Sequence, residues 1–574
     1  RLAYTVERHP GQRIHPPARQ IVTDRQPPSP AARQRTAAVV AQLLQMAQDP
    51  AAFQGGSTRN PNIGSWRPTL RSVDAEVFRD AGIIRARARD LVRNNPTARQ
   101  AVRISRQGTI GSQFRLVLRP DYKFLGLTHE EATNWARMAE RVWEQYAHGL
   151  GNWADAGRRF SFSEMMALVH DSDFVDGETV VSAEWAEGRP WKTCFQVIDI
   201  DRLSNPNGMP DTVWQKGGVS LDKLGSPTGY YIRQAHPYDV GLIGANTWVW
   251  DFVPRETPWY RPIMMHSFDP QRAGQTRGVS EFASVIHALK LGQEYAEQEL
   301  ANATIRAGFV AVLTSAMNYD KAIEMLGELG IDPQAEEGED PLTKLAFDNL
   351  SATAEYYNEL NLSVNGTRIP KLAPGDDLKF LGNNTPGSNY SDYIKSQVRN
   401  VAAGLGVDPV GISQDFSDVN YSSAKMAWSV NGTHHMSRRM RLIRMVAMPM
   451  VGSWMEEAID SDRLPMPGHL SKADFWAARD ALVRGTFLCA GKPVIDPLKE
   501  RQGQQLGMTM GVETLESVAA DEGEHWEERL EQLARENMVR ESLGLMPIAA
   551  LPPPIPEEED DAGEKPKKKD EKKD

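Results

Sequence analysis

Cysteine is almost missing from this chain: Cys194 and Cys489 are the only two in 574 residues. Two thiols close one bridge at most, so a disulfide framework is excluded. Such sparing use fits a reducing compartment. Long apolar runs are missing as well. A helix needs roughly 20 apolar residues to cross a bilayer. The best candidate, Met445 to Met455, is about half that length and contains Pro449. The N-terminus has no apolar signal core. An excess of positive charge is also lacking. Lys and Arg number 65 against 76 Asp and Glu, a net charge of −11. Proteins that grip DNA by its phosphates usually carry a basic surface. If DNA is a partner, this composition suits sliding past it better than holding it.

Catalytic signatures are absent too. The one Gly-Lys dipeptide, Gly491-Lys492, runs into Pro493 and lacks the upstream glycine of a phosphate loop. There is no His-Glu-x-x-His, no Gly-x-Ser-x-Gly and no Cys/His set at zinc spacing. Asp171 to Gly177 has the flavour of a calcium loop. Its third acid falls one place late, and Ser182 stands where the bidentate glutamate belongs. A helix end turning into a strand is the preferred reading. No cofactor and no metal are expected.

What is present is a full-sized globular composition, with 40% hydrophobic and 25% charged residues. Residues 1–50 stand apart, with seven arginines, many prolines and no methionine before Met46. Three readings are open: a basic disordered arm, a structured extension, or upstream sequence ahead of a start at Met46. The third is favoured because position 1 is not methionine. A charged helix over Arg85–Arg93 should break at Asn94-Asn95-Pro96, since the residue before proline avoids the helical region. A second helix is expected from Thr97, and a strand over Phe114–Arg119. Thr128-x-x-Glu131 is a capping box opening another helix, with Trp135, Met138, Val142 and Trp143 at helical spacing.

Strands are expected at Glu178–Trp185, Phe195–Ile200 and Gly229–Ile232, with a turn at Asn205-Pro206-Asn207-Gly208. The clearest helix covers 280–307, capped by Ser280, and a strand should follow at once over Phe309–Leu313. The acidic run around Glu336–Asp340 reads as a loop. A helix over Ser391–Leu405 should end at Gly404 and Gly406. A long helix is expected over Tyr421–Ile459, kinked at Pro449, and further helices over 470–545. Arg438, Arg439, Arg441 and Arg444 form a basic cluster that reads as a salt-bridge surface between subunits, facing acids such as Glu456 and Glu457 of a neighbour, with contact to nucleic acid as the alternative. His434-His435 reads as a surface or interface pair. Seven methionines between Met426 and Met455 suggest core or helix–helix packing. The stretch from Pro552 cannot form a core and reads as a disordered tail.

Several segments resemble the lambda-type portal proteins of tailed double-stranded DNA bacteriophages. They are Ala88–Arg99, Asp176-Gly177-Glu178, His266-Ser267-Phe268-Asp269-Pro270 with Gly274–Gly278, Pro374-Gly375-Asp376, and Ala402–Val407 with Asn420–Ala424. They lie in family order and cover about residues 60–545. The resemblance implies an α+β portal fold: a mixed α/β wing, a helical stem, a small α/β clip and a helical C-terminal crown. It places an extension at 1–59, the wing at 60–279, the stem helices at 280–308 and 381–405, and the clip at 309–380. A channel loop falls at 406–421, a long wing helix at 422–469, the crown at 470–545 and the tail at 546–574. It implies a dodecameric ring at one capsid vertex of the virion, without enzymatic activity of its own. The ring would initiate procapsid assembly in the host cytoplasm and pass duplex DNA in packaging and ejection. Implied partners are further copies of the chain, the terminase large subunit, head–tail adaptors, major capsid and scaffolding proteins, and DNA without sequence preference; no membrane is involved. The alternatives are a minor capsid subunit, or a nuclease or protease of capsid maturation. The channel loop would present Asp408, Gln414, Asp415, Ser417, Asp418 and Asn420 to DNA. That loop contains no lysine or arginine. Its acids would push phosphates toward the ring axis, or would simply cap and turn the chain.

Overall fold

A computed structural model describes residues 53–58, 61–309, 363–364, 367–368, 388–417, 421–489, 491 and 496–547. The expected strand residues Val310–Leu313, the acidic stretch, Pro374-Gly375-Asp376, the N-terminal arm, the C-terminal tail, Asp418 and Asn420 lie outside them. Residues 1–71 form a separate unit, in which a short turn spans Gln54–Gly56 and Arg67 Nε donates to Gly64 O at 3.2 Å. Everything below concerns the second unit, from Ser72 onward.

Helix α1 (Val73–Asn94) and helix α2 (Pro96–Thr109) meet at Asn95. Asn95 ends the first helix in an extended conformation and caps the second, accepting from Ala98 N at 3.1 Å. Pro96 sits where its missing N–H costs nothing. Strand β1 (Arg115–Leu118) leads to helix α3 (His129–Ala147), whose Thr128/Glu131 capping box forms as the sequence dictates. Helix α4 (Phe162–Asp171) continues as one wide turn, Ser172–Asp176, and Gly177 leaves it at φ +88°. Two antiparallel sheets follow. Strand β2 (Glu178–Trp185) lies between β3 (Thr193–Ile198) and β8 (Met264–Phe268). The strands β4 (Gln215–Lys216), β5 (Val219–Leu221), β6 (Pro227–Arg233) and β7 (Trp250–Pro254) pair in chain order.

Beyond the sheets, Ser280 caps a tight turn, Glu281–Ser284, and helix α5 begins only at Ile286 and runs to Phe309. The expected helix therefore starts later than its cap signal, and Phe309, read as a strand residue, ends it. A small hairpin pairs β9 (Ser363–Val364) with β10 (Thr367–Arg368). Helix α6 (Ser388–Leu405) precedes a single turn α7 (Pro409–Ser413), then helix α8 (Tyr421–Leu442). The expected kink at Pro449 is taken up ahead of the proline. A widened turn, Ile443–Ala447, separates α8 from helix α9 (Met448–Asp460). Loosening the preceding turn makes room for a ring that would otherwise clash with the carbonyl four residues back.

Helix α10 (Phe475–Leu482) is followed by β11 (Gly485–Leu488), which corrects the expectation of helices alone over 470–545. It pairs antiparallel with β1, Arg115 opposite Leu488. Helices α11 (Pro497–Thr509), α12 (Leu515–Asp521) and α13 (Trp526–Ser542) complete the unit.

The main core gathers α3, α4, α9 and the β1–β11 pair. Trp143 is its centre, edge-on to Phe162 at 4.9 Å and to Trp454 at 5.0 Å. Tyr146 is fully buried and donates its hydroxyl to Thr193 O at 3.0 Å, joining α3 to β3. A second core binds α1, α2, α5 and α6 through Leu91, Val102, Phe282, Leu289, Val401 and Leu405.

Candidate channel loop and the charge network behind it

The loop after α6 is built from its anchors outward. Helices α5 and α6 run antiparallel: Gln397 donates to Ala288 O, and Tyr295 meets Tyr393 at 4.7 Å between ring centres. Gly404 lets them close, because a Cβ there would come within 2.5 Å of Val285 Cγ1. Gly406, at φ +61°, takes the left-handed turn that ends α6, and Val407 N donates back to Ala402 O at 3.1 Å.

Asp408 is a cap. Its carboxylate accepts from Val410 N at 3.3 Å and from Gly411 N at 3.0 Å, and Pro409 occupies the first position of α7. The expected open loop thus contains a helical turn, held inward by buried Ile412. Gln414 reverses the chain at φ 56° and returns its amide to Gly411 O at 2.9 Å. Asp415 Oδ1 accepts from the Ser417 hydroxyl at 2.6 Å and from Ser417 N at 3.1 Å. The Ser417 hydroxyl and backbone bonds hold its carboxyl below the usual range, and Lys395 Nζ adds to this from 3.7 Å. Asp415 is therefore ionised at neutral pH. Between the two, Phe416 points out, 64% exposed. Of the six residues expected to face DNA, Asp408 and Asp415 are turn-makers, Gln414 and Ser417 complete their turns, and Asp418 and Asn420 lie outside the described residues.

Behind the loop sits the arginine cluster of α8, and here the expectation is corrected. Arg438 is buried; it donates to Leu405 O at 2.7 Å and lies 3.6 Å from Glu281. Arg439 donates to Gly108 O at 2.8 Å and to Thr109 O at 2.9 Å, tying α8 to α2. Arg441 pairs with Asp173 at 2.7 Å and with Asp269 at 3.0 Å. These three hold their own chain together. Glu456 and Glu457, expected to serve a neighbour, are likewise engaged internally. Glu456 pairs with Arg261 at 2.5 Å, and Glu457 accepts from Lys192 N and Thr193 N. The histidine pair splits: His434 is exposed, while His435 packs over Gly108, where a Cβ would meet its ring at 2.5 Å. Burial, and then the nearby Arg438 charge, push His435 down to about 4.

Arg438 thereby closes the C-terminus of α6, where backbone carbonyls otherwise lack partners. Replacing it with alanine is expected to cost about 1.5–3 kcal/mol, the range for a hydrogen bond to a charged group. The loss should be local. Hydrogen exchange at Ala402–Val407 should speed up while exchange in α3 stays unchanged. Equal protection in both proteins would show that Arg438 is not the clamp.

A denser network lies where the sheets meet α1. Glu178 is fully buried at the start of β2. Its carboxylate accepts from Arg277 Nε at 2.8 Å, from Arg85 at 3.1 Å, from Gly278 N at 3.0 Å and from His266 Nε2 at 3.0 Å. A carboxylate only accepts, so His266 carries its proton on Nε2. Burial alone would raise the Glu178 pKa. The Arg277 charge and the His266 bond reverse this and hold it far below the usual range. Alongside, Arg89 bridges Asp176 at 2.7 Å, Asp201 at 2.6 Å and Asp199 at 3.1 Å. Sequence reasoning missed this hub, although five of its members, Arg89, Asp176, Glu178, His266 and Arg277, stand in the segments that carried the family resemblance, while Arg85, Asp199 and Asp201 do not. The signal was there: charged residues inside otherwise apolar segments, which must find partners when buried.

Among the described residues, Asp199, Asp201 and His236 are the one group close enough to share a metal ion, with ligand atoms within 4.8 Å of one another. Arg85 and Arg89 already neutralise Asp201, and Arg89 also reaches Asp199, so the site is filled by guanidinium groups.

The chain matches the family described as phage portal protein, lambda family, over residues 59–439. It is 32% identical over 497 residues to the portal protein of Escherichia phage N15, covering 86% of this chain and 91% of that one. It is 31% identical over 497 residues to portal protein B of Escherichia phage lambda, with the same coverage of each. Among solved structures, a chain of the virion of a native gene transfer agent particle aligns at TM-score 0.32 and 14% identity, covering 89% of this chain and 99% of that one. A family match over more than half the chain, with relatives above 30% identity along most of their length, settles the assignment: the chain belongs to the lambda family of phage portal proteins.

Proposed function

We propose that copies of this chain close into a ring, twelve in number, at one vertex of a phage capsid, and that duplex DNA passes through its centre in packaging and ejection. The match to the portal family over residues 59–439 carries this reading. In it, 60–279 form the wing, α5 and α6 the stem, 309–380 the clip, 406–421 the channel loop and 470–545 the crown. The terminase large subunit and then the head–tail adaptors dock on the ring. Major capsid and scaffolding proteins surround it, and it starts procapsid assembly in the host cytoplasm. The role is structural: the ring itself hydrolyses neither ATP nor DNA. No described helix is long and apolar enough to cross a membrane. Negative-stain electron microscopy and native mass spectrometry of the purified chain test the ring. Hollow particles of uniform mass are expected, and a monomer that persists with scaffold present would overturn the reading. Measurable ATP turnover by rigorously purified rings would overturn the non-enzymatic role.

Within the ring, the channel loop lowers friction. Its acids repeat around the DNA and repel phosphates, whereas basic residues would release counterions and hold. Asp415 is the described acid suited to this, ionised and exposed. Asp408 serves the fold, and its loss should cost about 1 kcal/mol as a cap. Substituting Asp415→Lys together with Asp418→Lys should leave rings intact but slow packaging in an in vitro assay. The defect should ease at higher salt, where phosphate attraction is screened. Normal packaging by these rings would leave Asp415 with its turn role only.

A further inference from the structure

Two surfaces of this chain are apolar, exposed and opposite in charge. The first is a face of α8. From Lys425 to Ser437 no described side chain is buried. Met426, Val430 and Met440 are exposed, and at 100° per residue they fall within an arc of about 80°. The expected core or interface role of the methionines is thus divided. Met450 and Met455 are buried, while Met426, Met436, Met440 and Met445 are not. Residues 421–447 contain no aspartate or glutamate. Three of their arginines turn inward, as described above, leaving Lys425, His434 and Arg444 exposed along the helix.

The second surface is the loop between β6 and β7. Tyr238, Val240, Leu242 and Ile243 are all exposed, Ile243 completely. From Pro237 to Val249 the one charged residue is Asp239. An apolar knob of this kind on a monomer marks an interaction site.

We propose that the Tyr238–Ile243 knob of one copy seats on the Met426–Met440 face of α8 in a second copy. The inference rests on the ring reading and names one contact that builds the ring. Apolar atoms meet apolar atoms, and the knob's single negative charge approaches a helix that has basic residues and no aspartate or glutamate of its own. Gly241 and Gly244 leave the knob free to conform, and methionine side chains re-pack around what they receive. The two patches differ and sit on one chain, so each copy offers a knob to one neighbour and a face to the other. Such head-to-tail contacts close rings when the rotation from one copy to the next closes on itself. Duplex DNA is the competing occupant of a basic helix. The inward turn of Arg438, Arg439 and Arg441 and the methionine-lined face favour protein.

The chain's cysteine poverty makes the test clean, because Cys194 and Cys489 are both buried. Full-length chains carrying Ile243→Cys together with Val430→Cys, Met436→Cys or Met440→Cys should form, under mild oxidation, ladders of covalent oligomers on non-reducing gels. The corresponding single substitutions should give none. Ile243→Lys should leave the monomer folded, since that side chain is fully exposed. It should raise the concentration for half-assembly about tenfold or more, because it sets cation against cation. Rings of native mass without a ladder in any pair would overturn the contact while leaving the ring reading intact. No ring from the unsubstituted chain would overturn both. Val430→Asp rings that assemble normally but retain less duplex DNA would assign the face to DNA and overturn the proposal.

Discussion

Glu178→Ala is expected to lose about 3–5 kcal/mol of stability, the cost of breaking a buried ion pair from one side. The size follows from what remains. Arg85 and Arg277 both point at Glu178, and their exposures are 8% and 6%. Without the carboxylate, two guanidinium groups face each other in a space that water barely reaches. Arg85 keeps Asp201, at 2.6 Å, and Arg277 keeps the Leu203 and Gly217 carbonyls. Neither set removes the repulsion. The urea midpoint, followed by tryptophan fluorescence, should fall sharply, and soluble yield with it. Glu178→Gln should fall less, because an amide still accepts from Gly278 N and one arginine. A wild-type midpoint for Glu178→Ala would sink the idea that this network holds the sheets to α1.

The same carboxylate sets a pH dependence. Its folded pKa lies well below its ordinary value of 4.5. A depressed carboxylate contributes its stability above the unfolded pKa and loses it as pH falls toward the folded one. The chain should therefore lose stability progressively below about pH 4.5. Glu178→Gln should lack that component of the acid slope, though other paired carboxylates will still contribute theirs.

Local signals in the sequence were read correctly where short-range chemistry decides. The Thr128/Glu131 box, the Asn95–Pro96 break and strand β2 all depend on neighbours a few residues away. What failed depends on distant partners. Strand β11 is short, lies among helices and pairs with β1, which is far away in the chain. No local periodicity marks it. Helix α5 was placed early because Ser280 is a good cap, yet the cap serves a tight turn that must first clear Gly177 and Glu178. The arginines of α8 were assigned to a neighbour because their partners, Leu405, Thr109 and Asp173, lie on three other elements. The loop proposed to line the channel was half legible. Its aspartates have the residue type of both a turn and a repelling surface, and geometry gave Asp408 to the first. Asp415 serves the turn with one oxygen, while the other faces Lys395.

Gly177→Ala should be among the most damaging single changes in the chain, although it adds one methyl group. Gly177 links the end of the widened α4 turn to Glu178, at φ +88°. An L-residue there pays roughly 1 kcal/mol or more for the left-handed backbone. The added Cβ would also run into the Val279 carbonyl group and the Ser280 nitrogen. Both are backbone atoms, so no side chain can swing aside. The neighbouring loop offers no slack either, because a Cβ on Gly278 would meet Gly177 O in turn. The two glycines thus allow two chain segments to touch backbone to backbone, and that closeness delivers Gly278 N to the Glu178 carboxylate. Forcing the segments apart should cost about 1–3 kcal/mol of overpacking beyond the φ cost, and more if the Glu178 network shifts. Gly188→Ala provides the control. Gly188 also has a positive φ, +79°, but no atom stands within 4 Å of its would-be Cβ. It should lose only the backbone component. Urea midpoints of the two alanine variants should therefore separate clearly, with Gly177→Ala far lower. If the two fall together, the left-handed backbone alone explains Gly177, and the close approach of Gly177 to Val279 and Ser280 contributes nothing.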